Sequence, residues 1–125
     1  MIKEILLAIK TDIETALTLT DVIYIDNLPE AGGISMQPDG GPPTYDLAKK
    51  KKYNEDITFF RKSQDQALCM DELDLIGDHI EDKTFCVGDF KVYDISVSVS
   101  TRKVTKQLDG FYIYTMVLEV KIYGS

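Results

Sequence analysis

The fold is decided by residues 90–123, which read FKVYDISVSVSTRKVTKQLDGFYIYTMVLEVKIY. In the first part, every second residue is apolar or aromatic, namely Tyr93, Ile95, Val97 and Val99. In the last part, the same alternation collects on one face Tyr112, Tyr114, Met116, Leu118, Val120 and Ile122. Period-two alternation is typical of half-buried antiparallel strands, and Asp109-Gly110 is a favourable turn dipeptide. The sequence therefore predicts that residues 90–100 and 111–123 are neighbouring strands.

Two amphipathic helices and several short strands are predicted upstream of this pair. Residues 2–17 repeat apolar side chains at the helical period, and so do residues 64–82, where Ser63 and Gln66 match a capping box. Gly77 lies inside the second helix and is expected to allow close approach to a strand. The short strands are expected at residues 22–25, 34–37 and 53–61. The order α-β-β-loop-β-α-β-β predicts an α+β fold, with two helices packed on a single mixed, mainly antiparallel sheet.

The chain of 125 residues fits one domain, 1–125, interrupted by a long segment at about 39–52. Its first part, Asp39-Gly40-Gly41-Pro42-Pro43, is typical of turns, and a flexible loop is expected there. The segment closes with the basic block of this sequence, which consists of Lys49, Lys50, Lys51 and Lys52. This block is a candidate contact with a phosphate or an acidic protein surface, and its other interpretation is a solvated run.

Overall charge and hydropathy narrow the class of partner. The formal net charge is −7, which argues against unaided binding to nucleic acid or to an anionic membrane. No apolar run reaches the roughly 20 residues that span a bilayer, and the first residues lack the pattern of a signal peptide. We therefore expect synthesis in a cytoplasm, with Cys69 and Cys86 as free, partly buried thiols.

Among the residues of this sequence, the acidic residues of the second helix are the best candidates for a metal-binding site. Asp71, Asp74 and Asp78 share one helix face at i, i+3 and i+7. Two of them could bind a hard cation, but a solvated or partner-facing acidic surface is the preferred interpretation. His79 is about 100° away from Asp78 around the helix, which separates it from this face. We expect no metal site and no cofactor.

Motifs of nucleophilic or phosphate chemistry are missing from the sequence. Neither cysteine has a histidine at a motif spacing, and no serine lies in a nucleophile-elbow sequence. The glycine-rich segment at 39–43 lacks the Gly-Lys-Ser/Thr ending of a phosphate loop. The sequence thus predicts a protein that is not an enzyme.

The last strand carries apolar residues on both faces in its first half. Phe111, Ile113 and Val117 alternate with the residues expected in the core. Either helices cover both sides of the sheet, or this side packs on another subunit, and the second interpretation is preferred.

Three stretches of the chain together resemble the tail-terminator (minor capsid) proteins of long-tailed phages and prophages. The first is the opening helix, 2–17, running into Asp21-Val22-Ile23-Tyr24. The second is Ile57 to Gln66, where a strand turns into a helix, and the third is Asp109-Gly110-Phe111-Tyr112-Ile113-Tyr114 with the strand that follows.

The resemblance implies a virion structural protein made in the bacterial host cytoplasm, without catalysis or cofactor. Such subunits form a ring, commonly of six, that caps the finished tail tube and meets the head-side connector. The implied partners are copies of the chain itself, the tail tube protein and the head–tail connector protein. In such a ring, the lysine block of one subunit is expected to reach Asp71, Asp74 and Asp78 of its neighbour. Alternatives are a head-closure or tail-completion neck protein, an acidic inhibitor of a nucleic-acid-binding enzyme, and a small metal-dependent enzyme that uses the helix acids.

Overall fold

The computed structural model describes residues 2–26, 28–38, 44–45, 51–107 and 109–124. Its two helices are α1 (Ile2–Ala16) and α2 (Gln66–Ile80). Its strands are β1 (Ile23–Ile25), β2 (Gly33–Pro38), β3 (Thr44–Tyr45), β4 (Lys51–Ser63), β5 (Phe85–Val87), β6 (Phe90–Lys106) and β7 (Tyr112–Gly124). All strands belong to one sheet of order β1-β2-β4-β7-β6-β5, with β3 paired to β4 beside this path. Only the β1–β2 pair is parallel among the described strands, so the predicted mixed, mainly antiparallel α+β fold is confirmed.

The pair of strands predicted at residues 90–100 and 111–123 is present and is longer than expected. Strands β6 and β7 pair side by side, with Ile95 opposite Val120 and Val97 opposite Leu118. Bulges interrupt the alternation of β6 next to Tyr93 and again after Val97. The expectation that Tyr93 and Val99 share the core face with Ile95 and Val97 is therefore wrong, since both are exposed.

One core, on one face of the sheet, contains both helices. Strand β7 buries the alternating set that the sequence predicts, from Tyr114 to Ile122. Helix α1 contributes Ile5, Leu6, Ile9 and Ile13, and helix α2 contributes Cys69, Leu73, Ile76 and Ile80. Each large aliphatic side chain buried in this way contributes about 1.5–3 kcal/mol of transfer free energy, and this burial holds the helices on the sheet.

Gly77 marks the closest approach of α2 to the sheet, as the sequence predicts. A Cβ atom at this position would lie 2.8 Å from the sulfur of Met116 and 3.3 Å from Cγ2 of Val97. A side chain at residue 77 would therefore push the helix away from β6 and β7.

Helix α2 begins two residues later than predicted, and the expected capping box is wrong. Asp65 is the N-cap residue, and its side chain accepts a hydrogen bond from the Leu68 amide at 3.2 Å. Ser63 cannot cap the helix because it is the last residue of β4, where it pairs with Tyr112. Gln66 instead accepts a hydrogen bond from the Tyr114 hydroxyl at 2.8 Å.

The segment predicted as a loop at 39–52 contains strand residues at two places. Thr44–Tyr45 form β3, and Lys51 and Lys52 belong to β4 because they pair with Tyr45, Thr44 and the end of β7. The remaining residues, 39–43 and 46–50, lie outside the described part of the chain. Strand β5 was not predicted either, since its three residues are too few to show a period.

The two cysteines are free, as predicted, but their surroundings differ. Cys69 is fully buried on the core-facing side of α2 and Cys86 is exposed on β5, so the expectation that both are partly buried is wrong. Burial raises the pKa of the Cys69 thiol, so this group is the less reactive of the two at neutral pH.

Candidate interaction surfaces

The predicted acidic face is present on α2, and we call Asp71, Asp74 and Asp78 the acidic strip. All three side chains are exposed. Asp74 accepts a 2.7 Å hydrogen bond from the Thr101 hydroxyl of β6, which ties the middle of the strip to the neighbouring strand. The strip continues to Glu81, whose carboxylate accepts a 3.1 Å hydrogen bond from the Val97 amide. The structure therefore gathers four carboxylates along one side of α2.

His79 does not join the acidic strip. Its Nε2 atom lies 2.8 Å from Oδ2 of Asp12, so the imidazole bridges α2 to α1. The groove between α2 and β6 is instead lined by Asp74, Asp78, Glu81, Val97, Ser100 and Thr101 among others. Within the described ranges, no three histidine, cysteine or acidic side chains converge as a metal site would require. The arrangement suits a hydrated or protein-facing surface.

The structure describes only part of the predicted basic block, Lys49 to Lys52. Lys49 and Lys50 lie outside the described residues, as does the side chain of Lys51. Lys52 is exposed near the start of β4, and its ammonium lies 6.0 Å from the ring centroid of Tyr123. Lys52 therefore projects from a strand, and the expectation that it belongs to a loop is corrected.

Ile113 and Val117 lie on the face of the sheet that the helices leave uncovered, which we call the open face. Val117 is paired with Thr58 of β4 and with Val99 of β6, and it is half-buried in the single chain. Ile113 is half-buried beside Lys62. Because both helices belong to the single core on the opposite face, the first interpretation, helices on both sides, does not apply to the described residues.

Phe111 lies just before β7 and is already partly covered within the chain. The Lys62 ammonium is 5.1 Å from the centroid of its ring, and its Cε1 atom lies 3.3 Å from where a Cβ of Gly32 would be. Gly32 has a φ of +99°, so the backbone here needs glycine both for its conformation and for the room that the ring takes. Lys62 and Gly32 of the same chain thus already occupy part of the surface of the Phe111 ring.

Arg61 forms a buried charge cluster that the sequence reasoning missed. Its guanidinium donates to Glu72 at 2.7 Å, to Asp21 at 2.9 Å and to the Thr20 hydroxyl at 3.0 Å. Arg61 is 1% exposed and Glu72 is 4% exposed. The cluster joins β4, α2 and the segment after α1, so its role is to fix these three elements together.

Signals for this cluster were present in the sequence. Arg61 follows Ile57 and Phe59 at period two, which places its side chain on the buried face of β4. Glu72 lies one turn from Cys69 and Ile76 in the buried stripe of α2. A buried arginine and a buried glutamate in one small domain are best explained as partners, since an unpaired buried charge is very costly.

Among the described residues, no helix is both long and apolar enough to cross a bilayer. No protein-family model matches the sequence, and a search of curated proteins gives no match. A search of solved structures does find a similar fold. A chain from the structure titled "Virion of native gene transfer agent (GTA) particle" superposes with a TM-score of 0.68 and 11% sequence identity, over 93% of this chain and 92% of that chain. At this identity the likeness establishes a shared fold across nearly the whole length of both chains.

Proposed function

We propose that this chain is a structural subunit of a phage-like virion, namely a tail terminator that forms a ring on the finished tail tube and joins it to the head-side connector. The observation that carries the proposal is the fold shared, over 93% of this chain, with a chain of a gene transfer agent virion particle. The family resemblance of three stretches of sequence supports the finer assignment to the tail terminator.

The distribution of surfaces supports self-assembly. The helices and the acidic strip occupy one side of the sheet, while Ile113 and Val117 occupy the open face. Different surfaces on different sides of a subunit suit heterologous contacts, which close into a ring when the rotation between copies allows it. Candidate contacts in this ring are Lys49 to Lys52, the acidic strip, Phe111, Ile113 and Val117.

The proposal gives the protein a role in assembly and none in catalysis. The acidic strip is exposed along a helix, and His79 is turned to Asp12 instead of to the strip. These positions favour a protein-facing surface over a site that would exclude water around a substrate. The proposed partners are further copies of this chain, a tail tube protein and a connector protein, and the proposed location is the virion neck.

The oligomeric state tests the ring. Native mass spectrometry and light scattering across a concentration series should show a closed oligomer, expected to be a hexamer, and negative-stain electron microscopy should show it as an annulus. The same sample mixed with tail tubes from the matching particle should bind at the tube end and stop its growth. A monomer at every concentration that also leaves tube growth unchanged would exclude the tail-terminator assignment.

A head-closure or tail-completion protein of the same neck is the neighbouring assignment. It would bind the connector in the absence of tubes, so pull-down with separated connector and tube proteins distinguishes the two roles. An acidic inhibitor of a nucleic-acid-binding enzyme is favoured by the four carboxylates along α2. It would act as a monomer, and charge reversal of the acidic strip would abolish its binding to the enzyme.

A further inference from the structure

We propose that, in the ring, the free edge of β6 on one subunit pairs in antiparallel fashion with β1 of the next subunit, so that the sheet continues across each boundary. This inference rests on the proposed ring, and it names the two surfaces that form the contact. It is carried by the position, exposure and charge of these two edges.

On the side away from β7, a long part of β6 pairs with no other described strand. β5 pairs only with Phe90–Val92. Further along, the Asp82 amide donates to the Ile95 carbonyl at 2.8 Å, and Glu81 accepts from the Val97 amide, which closes the edge as far as Val97. From residue 98 to residue 106, β6 pairs with β7 on one side, and within the described chain no strand pairs with its other side. We call residues 98–106 the β6 edge.

Strand β1 forms the opposite edge of the same sheet. Its backbone pairs with β2 on one side only among the described strands. The amide of Ile23 points away from β2 and donates to a side chain, Oε2 of Glu14, at 3.0 Å. Glu14 thus closes this amide, as Glu81 closes that of Val97. The Asp26 amide donates to the Met36 carbonyl of β2, so alternation turns the backbone groups of Ile25 outward, and these are the groups that an added strand can meet.

The two edges lie at the same height along the strands. The pairing registers align Tyr24 of β1 with Ser35, Phe60, Thr115 and finally Arg102 of β6 in one row across five strands. Directly paired residues place their side chains on the same face, so Tyr24 and Arg102 both lie on the open face. A second copy can therefore extend the sheet without a shift along the strand direction.

Strand direction also fits. β6 runs parallel to β4, because both are antiparallel to β7, and β1 runs opposite to β4, because β2 is antiparallel to β4 and parallel to β1. When two copies continue the sheet in the same orientation, the β6 edge of one meets β1 of the other in antiparallel fashion. This is the pairing that is slightly more stable per residue.

The most exposed apolar side chains of the described residues mark these two edges. Val22, beside β1, is 57% exposed, and Val104, on the β6 edge, is 54% exposed. Counted from the Tyr24–Arg102 pair, antiparallel pairing sets Val22 opposite Val104, the residue that lies in the β6 bulge between Lys103 and Thr105. The contact would remove both valines from water and place the Arg102 guanidinium against the Tyr24 ring.

Charge selects between the possible pairs of edges. The β6 edge carries Arg102, Lys103 and Lys106, whereas Asp26 and the half-exposed Asp21, which already contacts Arg61, flank β1. Pairing of two β6 edges would bring like charges together, and such pairs directly opposite each other are destabilising. Pairing of β6 with β1 joins opposite charges and gives a heterologous contact, which generates a ring instead of a two-fold dimer.

Disulfide trapping tests the pairing with the full chain. In a background of Cys86→Ser, which removes the exposed thiol, the Val22→Cys/Val104→Cys variant should form under mild oxidation a ladder of covalent oligomers that ends at the ring size. Each single variant should give no ladder. A matched control, Leu7→Cys/Val104→Cys, uses another exposed apolar residue, on α1 and away from both edges, and should remain monomeric on a denaturing gel.

A second variant gives an independent readout. Val104→Glu places an acid on the β6 edge and should weaken ring assembly at least tenfold, while the far-ultraviolet spectrum and the unfolding midpoint stay near those of the parent. A ring without a disulfide ladder would overturn the edge pairing and leave the proposed function standing. Covalent dimers from Val104→Cys alone would mean that two β6 edges pair, which also overturns it. Absence of any ring would overturn both proposals.

Discussion

The two faces of the sheet are built from the same strands and differ in nearly every physical respect. On the covered face, alternate residues of β7 from Tyr114 to Ile122 are buried under two helices, and the charges there are paired, as in the Arg61–Glu72 contact. On the open face, the intervening residues of β7 remain half-buried for the most part, and Val99 and Arg102 of β6 are exposed. The covered face determines the stability of the folded chain, and in the proposed ring the open face and the sheet edges make the contacts between copies. Substitutions on the covered face should therefore change the free energy of unfolding, and substitutions on the open face should change oligomerisation.

The largest effect is expected from the buried ion pair. Glu72→Ala leaves the Arg61 guanidinium almost fully buried without its main partner, and breaking a buried pair in this way costs about 3–5 kcal/mol. The free energy of unfolding, from urea denaturation followed by circular dichroism, should fall by that amount.

Asp21→Asn is the control for the buried pair, since Asp21 contacts the same guanidinium but its side chain is 46% exposed. The control should lose less than about 1 kcal/mol. Equal losses for the two variants would mean that burial does not set the strength of this cluster.

Matched valine truncations on one strand compare the faces directly. Val120 is fully buried on the covered face, and Val117 is half-buried on the open face. Val120→Ala should lower the free energy of unfolding by about 2–3 kcal/mol because it leaves a cavity, and Val117→Ala should lower it by about 1 kcal/mol or less.

Oligomerisation should show the reverse order for the two valines. If the open face contributes to the proposed ring, Val117→Ala should weaken oligomerisation in light scattering, while folded Val120→Ala should assemble as the parent does. A ring that is insensitive to Val117 would remove the open face from the contact surface.

The sequence predicts most of the difference between the covered face and the open face, because this difference depends on local periodicity. The alternation of β7 predicts its buried set correctly, and the helical stripes predict the buried residues of α2. The bulges of β6 were not predictable, since the inserted residues, such as the one that exposes Tyr93, have no distinctive sequence. The alternating pattern was therefore extended through Val99 as if the strand were regular.

The other features that the sequence does not predict depend on contacts between residues far apart in the chain. The Arg61 cluster joins residues up to 52 positions apart, as in the contact of Thr20 with Glu72, and no spacing rule connects Asp21 to Arg61. The alignment of β1 with the β6 edge depends on the register of four strand pairs, and a single sequence does not specify these registers. The period of the sequence is enough to identify the candidate contacts on α2 and β7, whereas the two sheet edges can be identified only from the folded structure.

A smaller effect on stability is expected from the lysine block. Replacing Lys49 to Lys52 with serine should lower the free energy of unfolding by less than about 1 kcal/mol, since exposed lysines form weak contacts. If the block meets the acidic strip of a neighbour, the same variant should weaken assembly at low salt, and the difference from the parent should shrink as salt rises.

Replacement of the same four lysines with arginine keeps the charge and provides the control for this experiment. The arginine variant should assemble like the parent at every salt concentration. If the serine variant also assembles like the parent throughout, the block takes no part in the contact.

The smallest effect is expected from divalent cations. The acidic strip offers single carboxylates spaced along an exposed helix, and Asp74 already accepts a hydrogen bond from Thr101. Mg²⁺ and Mn²⁺ are bound tightly where several oxygen ligands surround the ion, and Zn²⁺ where four ligands converge, and the described residues do not provide three converging groups. Calorimetric titration should therefore give no saturable heat at micromolar concentrations of any of the three ions, and Asp74→Ala should behave as the parent does. Micromolar binding that disappears in Asp74→Ala would assign the acidic strip to metal binding and would contradict its proposed role as a protein-facing surface.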